Sequence, residues 1–266
     1  MKKNILLFSL ISCVLLGCDS DTQLRKVKDP GDSTNYITIV SRNNELEIVR
    51  NPPPADLSYI NHSEMMEMPT YNPDSDELPK IDLRSSNLAL LKLDDRIDDL
   101  LHTTFDSKTV WPNKLPSGYN PLEIMELGKN PGLGLRSVHS TGITGKDISI
   151  AIIDQSLLTN HTEYYKRLAL YEEIHCGDMQ ASLHGAAVAS IVGGKTVGVA
   201  PEAKLYYIAT TQGSYNNGKF VIDLAWIAKS IERIIQINKE LPSNQKIRAI
   251  SICNLLCSVT LFLTQQ

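Results

Sequence analysis

The 266-residue chain predicts an α/β fold: a parallel sheet with helices on both faces, preceded by an irregular N-terminal extension. Three observations predict it. Residues 147–153 (DISIAII) form a nearly continuous apolar run rich in β-branched residues, the pattern of a strand buried on both faces. Strand-like and helix-like segments then alternate across residues 146–252. Residues 18–110 instead mix charge, proline and short apolar stretches without that alternation.

The chain opens with Lys2 and Lys3, an apolar stretch over residues 5–16, and Leu15-Leu16-Gly17-Cys18. This has the form of a bacterial lipoprotein signal, with residues 1–17 removed and Cys18 lipidated on its sulfur. The apolar stretch is about a dozen residues, where about twenty are needed to span a bilayer as a helix. The alternatives are an ordinary cleaved signal peptide or an uncleaved anchor. The expected location is the cell envelope, lipid-anchored to a membrane on the extracytoplasmic side. The net charge of −4 gives no basic surface demanding nucleic acid, so attachment would come from the lipid.

Residues from Ser20 to about Tyr36 read as a polar tether. Residues 36–49 predict two short strands joined as a hairpin across Asn43 and Asn44. Residues 51–80 are rich in Pro, Asp and Met and predict extended chain, and residues 81–101 a strand-like start running into an amphipathic helix. Asn130 to Leu135 predicts a loop into a helix, with Gly142 and Gly145 before the first sheet strand. Residues 183–192 predict a tightly packed helix with Ser182 as N-cap. The apolar spacing over residues 220–239 predicts a long amphipathic helix. Residues 246–252 (KIRAISI) predict a buried strand.

Several segments carry chemistry. An apolar strand runs into Asp154, with His161 seven residues on and Tyr164 shortly after. His184-Gly185-Ala186-Ala187-Val188-Ala189 opens a helix, and Gly198-Val199-Ala200-Pro201 precedes a strand. In this order they resemble the subtilisin-like serine peptidases, the subtilases. The resemblance implies an incomplete subtilisin-like sheet, peptide or protein substrates, and peptide-bond hydrolysis by an Asp/His/Ser triad. Asp154 is then the carboxylate that orients the imidazole, and His184 the general base. Singly, an Asp ending a strand is often a turn or cap residue and a His beside Gly an ordinary surface group. Gln155-Ser156 stands where the family usually has Thr-Gly, and Ala186 where it has Thr.

The nucleophile is the conspicuous departure. The family places its Ser in a Gly-Thr-Ser-x-Ala or Met context far beyond the His, and about eighty residues follow His184 here. Ser190, Ser214, Ser230, Ser243, Ser251 and Ser258 all lack that context, and Asn254 is a poor oxyanion candidate because it directly follows a strand. Residues 253–266 form an atypical apolar tail with high β-propensity. The expectation is a frameshift or premature stop near Ile252. The chain thus divides into signal peptide (1–17), tether and N-terminal extension (18–110), partial peptidase domain (111–252) and tail (253–266). A non-catalytic peptide-binding protein and a degenerate fragment are the alternatives.

After loss of Cys13 and lipidation of Cys18, Cys176, Cys253 and Cys257 form no disulfide framework. His161 and His175 are the remaining imaginable ligands. His161 is accounted for by the family register, and His175 is assigned to a loop. No metal and no cofactor are expected.

Overall fold

The computed structural model describes residues 24–28 (backbone only), 36–58, 64–75, 81–177 and 180–253. The signal segment, Cys18 and residues 254–266 lie outside them, as do Asn254, Cys257 and Ser258.

In chain order, β1 (Leu24–Lys28) and β2 (Ile37–Ser41) precede a short two-stranded unit of β3 (Ile81–Asp82) and β4 (Thr103–Thr104) around α1 (Ile97–Leu100). Two helices follow, α2 (Pro121–Gly128) and α3 (Leu135–Ser140). The main alternation is β5 (Ser149–Asp154), β6 (Leu168–Cys176), α4 (Leu183–Gly193) and β7 (Lys204–Ala209). A hairpin of β8 (Gly213–Asn216) and β9 (Lys219–Ile222), then α5 (Ala225–Glu240) and β10 (Ile247–Ile252), complete the described chain.

The main sheet has six strands in the order β1-β2-β6-β7-β5-β10. The pairs β6–β7, β7–β5 and β5–β10 are parallel, whereas β1–β2 and β2–β6 are antiparallel. Strand pleating sorts the apolar residues by face. Ala151, Ile153, Tyr206 and Ile208 pack with Ile234 and Ile237 of α5, while Ile152, Leu205, Tyr207 and Ala209 pack with Ala189, Val188 and Val192 of α4. The fold is therefore α/β with helices on both faces. Each fully buried Ile contributes about 1.5–3 kcal/mol.

Several local expectations change. The hairpin over residues 36–49 does not form: β2 pairs with β1 and β6, and the second arm keeps only a bridge from Ile48 to Tyr171. Asn43 and Asn44 do make the turn, both with positive φ, but it delivers residues 45–49 to β6 instead of back to β2. The helix over residues 81–101 shrinks to α1. Leu83, Leu88 and Leu93 are instead buried from irregular chain, in a small separate core with Leu100 of α1, Met68 and Tyr119. That core joins residues on both sides of position 110.

The long helix begins at Ala225, because Lys219–Ile222 is a hairpin strand turned back by Asn217 and Gly218, both at positive φ. β10 is exposed along most of its length, since among the described residues it pairs with β5 alone. His175 is not in a loop. It lies in β6 at a register shift against β2, with φ 56°, stacked between Tyr36 (4.2 Å) and Trp226 (3.8 Å). α2 is a helix that residues 120 and 121 announce: Asn120 accepts from the Leu122 and Glu123 N–H groups, and Pro121 takes the first position.

Candidate active site

Asp154 ends β5 at the carboxyl edge of the sheet, where loops leaving parallel strands open a crevice. His184 projects from the first turn of α4. That turn is set by Ser182, whose Oγ accepts the His184 N–H at 3.1 Å and donates to Gln155 Oε1 at 2.5 Å. The same loop that follows Asp154 therefore fixes the helix carrying the imidazole.

Gly185 lets the two come together. A Cβ there would stand 2.7 Å from Tyr207 Oη and 2.9 Å from the carbonyl oxygens of Gln155 and Ser156. Beneath it, Tyr207 donates its hydroxyl to Gln155 O at 2.5 Å. Tyr207 is wholly buried, and burial pushes its phenol pKa well up, so it remains a donor.

His184 Nδ1 donates to Asp154 Oδ1 at 2.8 Å. Oδ1 also accepts the Gln155 N–H at 2.6 Å, while Oδ2 is buried without a hydrogen-bond partner. Asp154 is fully buried, whereas the His184 side chain is 47% exposed. Burial pushes the Asp154 carboxyl above the usual carboxylate range; the Gln155 N–H and His184 act in the opposite direction. An acceptor on Nδ1 leaves Nε2 as the basic nitrogen, facing outward.

Nε2 faces a group that sequence spacing did not bring forward. Cys253, one residue past β10, places Sγ 3.6 Å from it. Ligand atoms of Asp154, His184 and Cys253 lie within 4.8 Å of one another, a grouping that could hold a soft divalent cation. The three come from different elements, so no short motif announces them. Ile252 pairs with Ile153 in the parallel β10–β5 ladder, and it is this register that carries Cys253 to the imidazole.

The other predicted residues stand apart from the pair. His161 stacks on Tyr164 at 5.3 Å, and Tyr164 is buried with its hydroxyl donating to Leu158 O. Ser190 and Ser230 donate their hydroxyls to carbonyls of their own helices, Ala186 O and Trp226 O. Ser214 lies in β8, Ser243 in a 3₁₀ turn and Ser251 in β10.

A cavity of about 330 Å³ adjoins the site, bounded by Gln155, Ser156, Thr210, Thr211, Tyr215 and Phe220. A larger cleft of about 710 Å³ lies over α5 and β2, lined by residues such as Val40, Trp226 and Arg233; neither Asp154 nor His184 lines it. The smaller one matters here because it shares the loop after Asp154. No helix among the described residues is long and apolar enough to cross a membrane.

Residues 145–254 match the family model Peptidase_S8, the Subtilase family, and so the segment holding Asp154, His184 and Cys253 is similar to the subtilisin-like serine peptidases.

Proposed function

We infer that this chain carries the carboxylate and the general base of a subtilisin-like serine endopeptidase acting on peptide or protein substrates, and that it is inactive alone as a serine peptidase. The observation that carries the reading is the 2.8 Å contact between His184 Nδ1 and buried Asp154. It leaves Nε2 to take a proton, with the carboxylate holding the tautomer and stabilising the imidazolium. The serines of the chain lack the nucleophile's sequence context, and removal of the nucleophile leaves only residual catalysis.

A serine-directed fluorophosphonate tests this directly. No phosphonylated serine is expected on the full chain, whereas a labelled serine that loses its label in His184→Ala would overturn the inactivity.

The same proposal places the protein on the extracytoplasmic side of a membrane, anchored through lipid on Cys18. Support comes from Lys2, Lys3, the apolar residues 5–16 and the Leu-Leu-Gly-Cys ending. Cys18→Ala is expected to lose the lipid and to block normal processing. Continued membrane fractionation with unchanged processing would sink the anchor.

One observation favours the second reading, a non-catalytic peptide-binding protein. Among the described residues β10 has no partner on its outer side, and such an edge accepts an added strand. Peptide binding without cleavage by a folded monomer would favour it.

A further inference from the structure

Cys253 is held in place by its backbone. Its N–H donates to Ile153 O at 3.3 Å, continuing the β10–β5 ladder, and its carbonyl accepts from Gln212 Nε2 at 2.8 Å. The sheet thereby sets the thiol 3.6 Å from His184 Nε2, across the ring from the Asp154 contact. His184 is half-exposed and Cys253 partly exposed, so a solute can reach both. Asp154 Oδ2, buried and unpartnered, marks the same cluster as one whose polar capacity the fold does not use up.

We propose that Cys253 Sγ is a nucleophile activated by the His184–Asp154 pair, and that the site accepts acyl groups from activated esters and thioesters. This rests on the acid–base reading of those two residues given above. An ordinary thiol is only a few per cent thiolate at neutral pH. An adjacent imidazole takes the proton and holds the thiolate as an ion pair, and the carboxylate behind it stabilises the imidazolium. Cys176 supplies the contrast within the same sheet. It is buried, and burial followed by the charge of Glu173 pushes its thiol pKa well up, so it stays protonated and inert.

The chemistry balances with water as the only co-reactant. The Sγ proton passes to His184 Nε2, the thiolate attacks the acyl carbonyl carbon, and the new S–C bond forms as the bond to the leaving alkoxide or thiolate breaks. The leaving group takes the proton from Nε2 or departs as the anion, with that proton going to solvent. Water then attacks the thioester and gives its proton to Nε2. The C–S bond breaks, the carboxylic acid departs, and the thiolate is returned beside the imidazolium. A peptide amide is a poorer substrate, because its tetrahedral adduct expels the thiolate more readily than the amine.

Iodoacetamide and p-nitrophenyl acetate are suitable probes on the full chain at pH 7, with EDTA present and the modified cysteine located by peptide mass mapping. Cys253 is expected to alkylate about tenfold faster than a cysteine in an unstructured peptide, the gain in thiolate being partly offset by lower intrinsic nucleophilicity. It is also expected to carry the acetyl thioester. His184→Gln should return alkylation to the peptide rate, and Asp154→Asn should give an intermediate rate. Cys253→Ser should abolish both adducts at that position.

Circular dichroism of each variant establishes that it is folded. Asp154→Asn, which can keep the contact to the Gln155 N–H, provides the comparison if His184→Gln does not fold. A wild-type rate equal to that of the peptide overturns the thiol assignment and leaves the peptidase-family reading standing. A fast rate that survives both substitutions overturns it too, and removes His184 and Asp154 from acid–base roles as well.

Discussion

Three carboxylates in one sheet are fully buried, and the fold treats them in two ways. Glu172 and Glu173 of β6 are saturated: Arg233 meets Glu172 through Nε and Nη2, both at 2.7 Å, and Ser41 adds its N–H at 3.0 Å and its hydroxyl at 2.5 Å. Arg50 grips Glu173 at 2.7–3.1 Å, and the Tyr171 hydroxyl donates to it at 2.6 Å. Asp154 has a backbone N–H, one half-exposed imidazole and an oxygen with no partner. A carboxylate whose lone pairs are all used serves cohesion. One left short is poised to share a proton, and costs stability.

The sharpest way to break this contrast is at Arg233. Its guanidinium also donates to Asn44 Oδ1 and Ser41 O, so it ties β2 and the following turn to β6 from α5. Arg233→Ala strands Glu172 as a buried, poorly compensated charge and is expected to cost about 3–5 kcal/mol in urea unfolding. Replacing both partners, Glu172→Met with Arg233→Met, should recover most of that loss, because apolar side chains of similar volume carry no desolvation cost. A loss below about 1 kcal/mol for the single variant would mean that Glu172 is not held as described.

Gly185→Ala comes next in size and acts on the other region. The added Cβ meets two backbone carbonyl oxygens and the hydroxyl of Tyr207, whose ring is wholly buried and has no room to withdraw. The start of α4 must move, at a cost of about 1–3 kcal/mol. Unlike Arg233→Ala, this should also disturb His184, seen as a changed imidazole environment by NMR. An unchanged His184 signal in a stable variant would show that α4 does not need its close approach.

The same contrast explains what could be read from the residues alone. β5, α4 and β7 follow rules of apolar run, N-cap and small-residue packing that act locally, and Asp154 and His184 stand at their ends. β6 was not legible because Glu172-Glu173 interrupts its apolar pattern, and the arginines that make their burial tolerable lie 61 and 123 residues away. The β8–β9 hairpin had a readable signal in Asn217-Gly218, obscured because Phe220 and Ile222 continue the helical spacing of α5. Cys253 had no local signature at all. Its position next to His184 follows from strand register, which only the folded sheet specifies.

Asp154→Asn gives the smallest effect and tests the comparison most finely. Burial holds the Asp154 carboxyl pKa above its ordinary value, so between the two values the folded state binds more protons than the unfolded state. The contribution of this group to stability therefore falls as pH rises through that window, and the penalty is fully present above the raised value. Asparagine has no such term, though its Nδ2 inherits the partnerless environment of Oδ2. The two effects oppose each other, leaving a net difference on the order of 1 kcal/mol or less at pH 7. Its pH dependence is the informative part: thermal unfolding from pH 4 to 7 should move in favour of the variant as pH rises. A shift in favour of wild type would mean that ionised Asp154 is as well satisfied as Glu172 and Glu173, and the distinction between a cohesive and a poised carboxylate would not hold for this sheet.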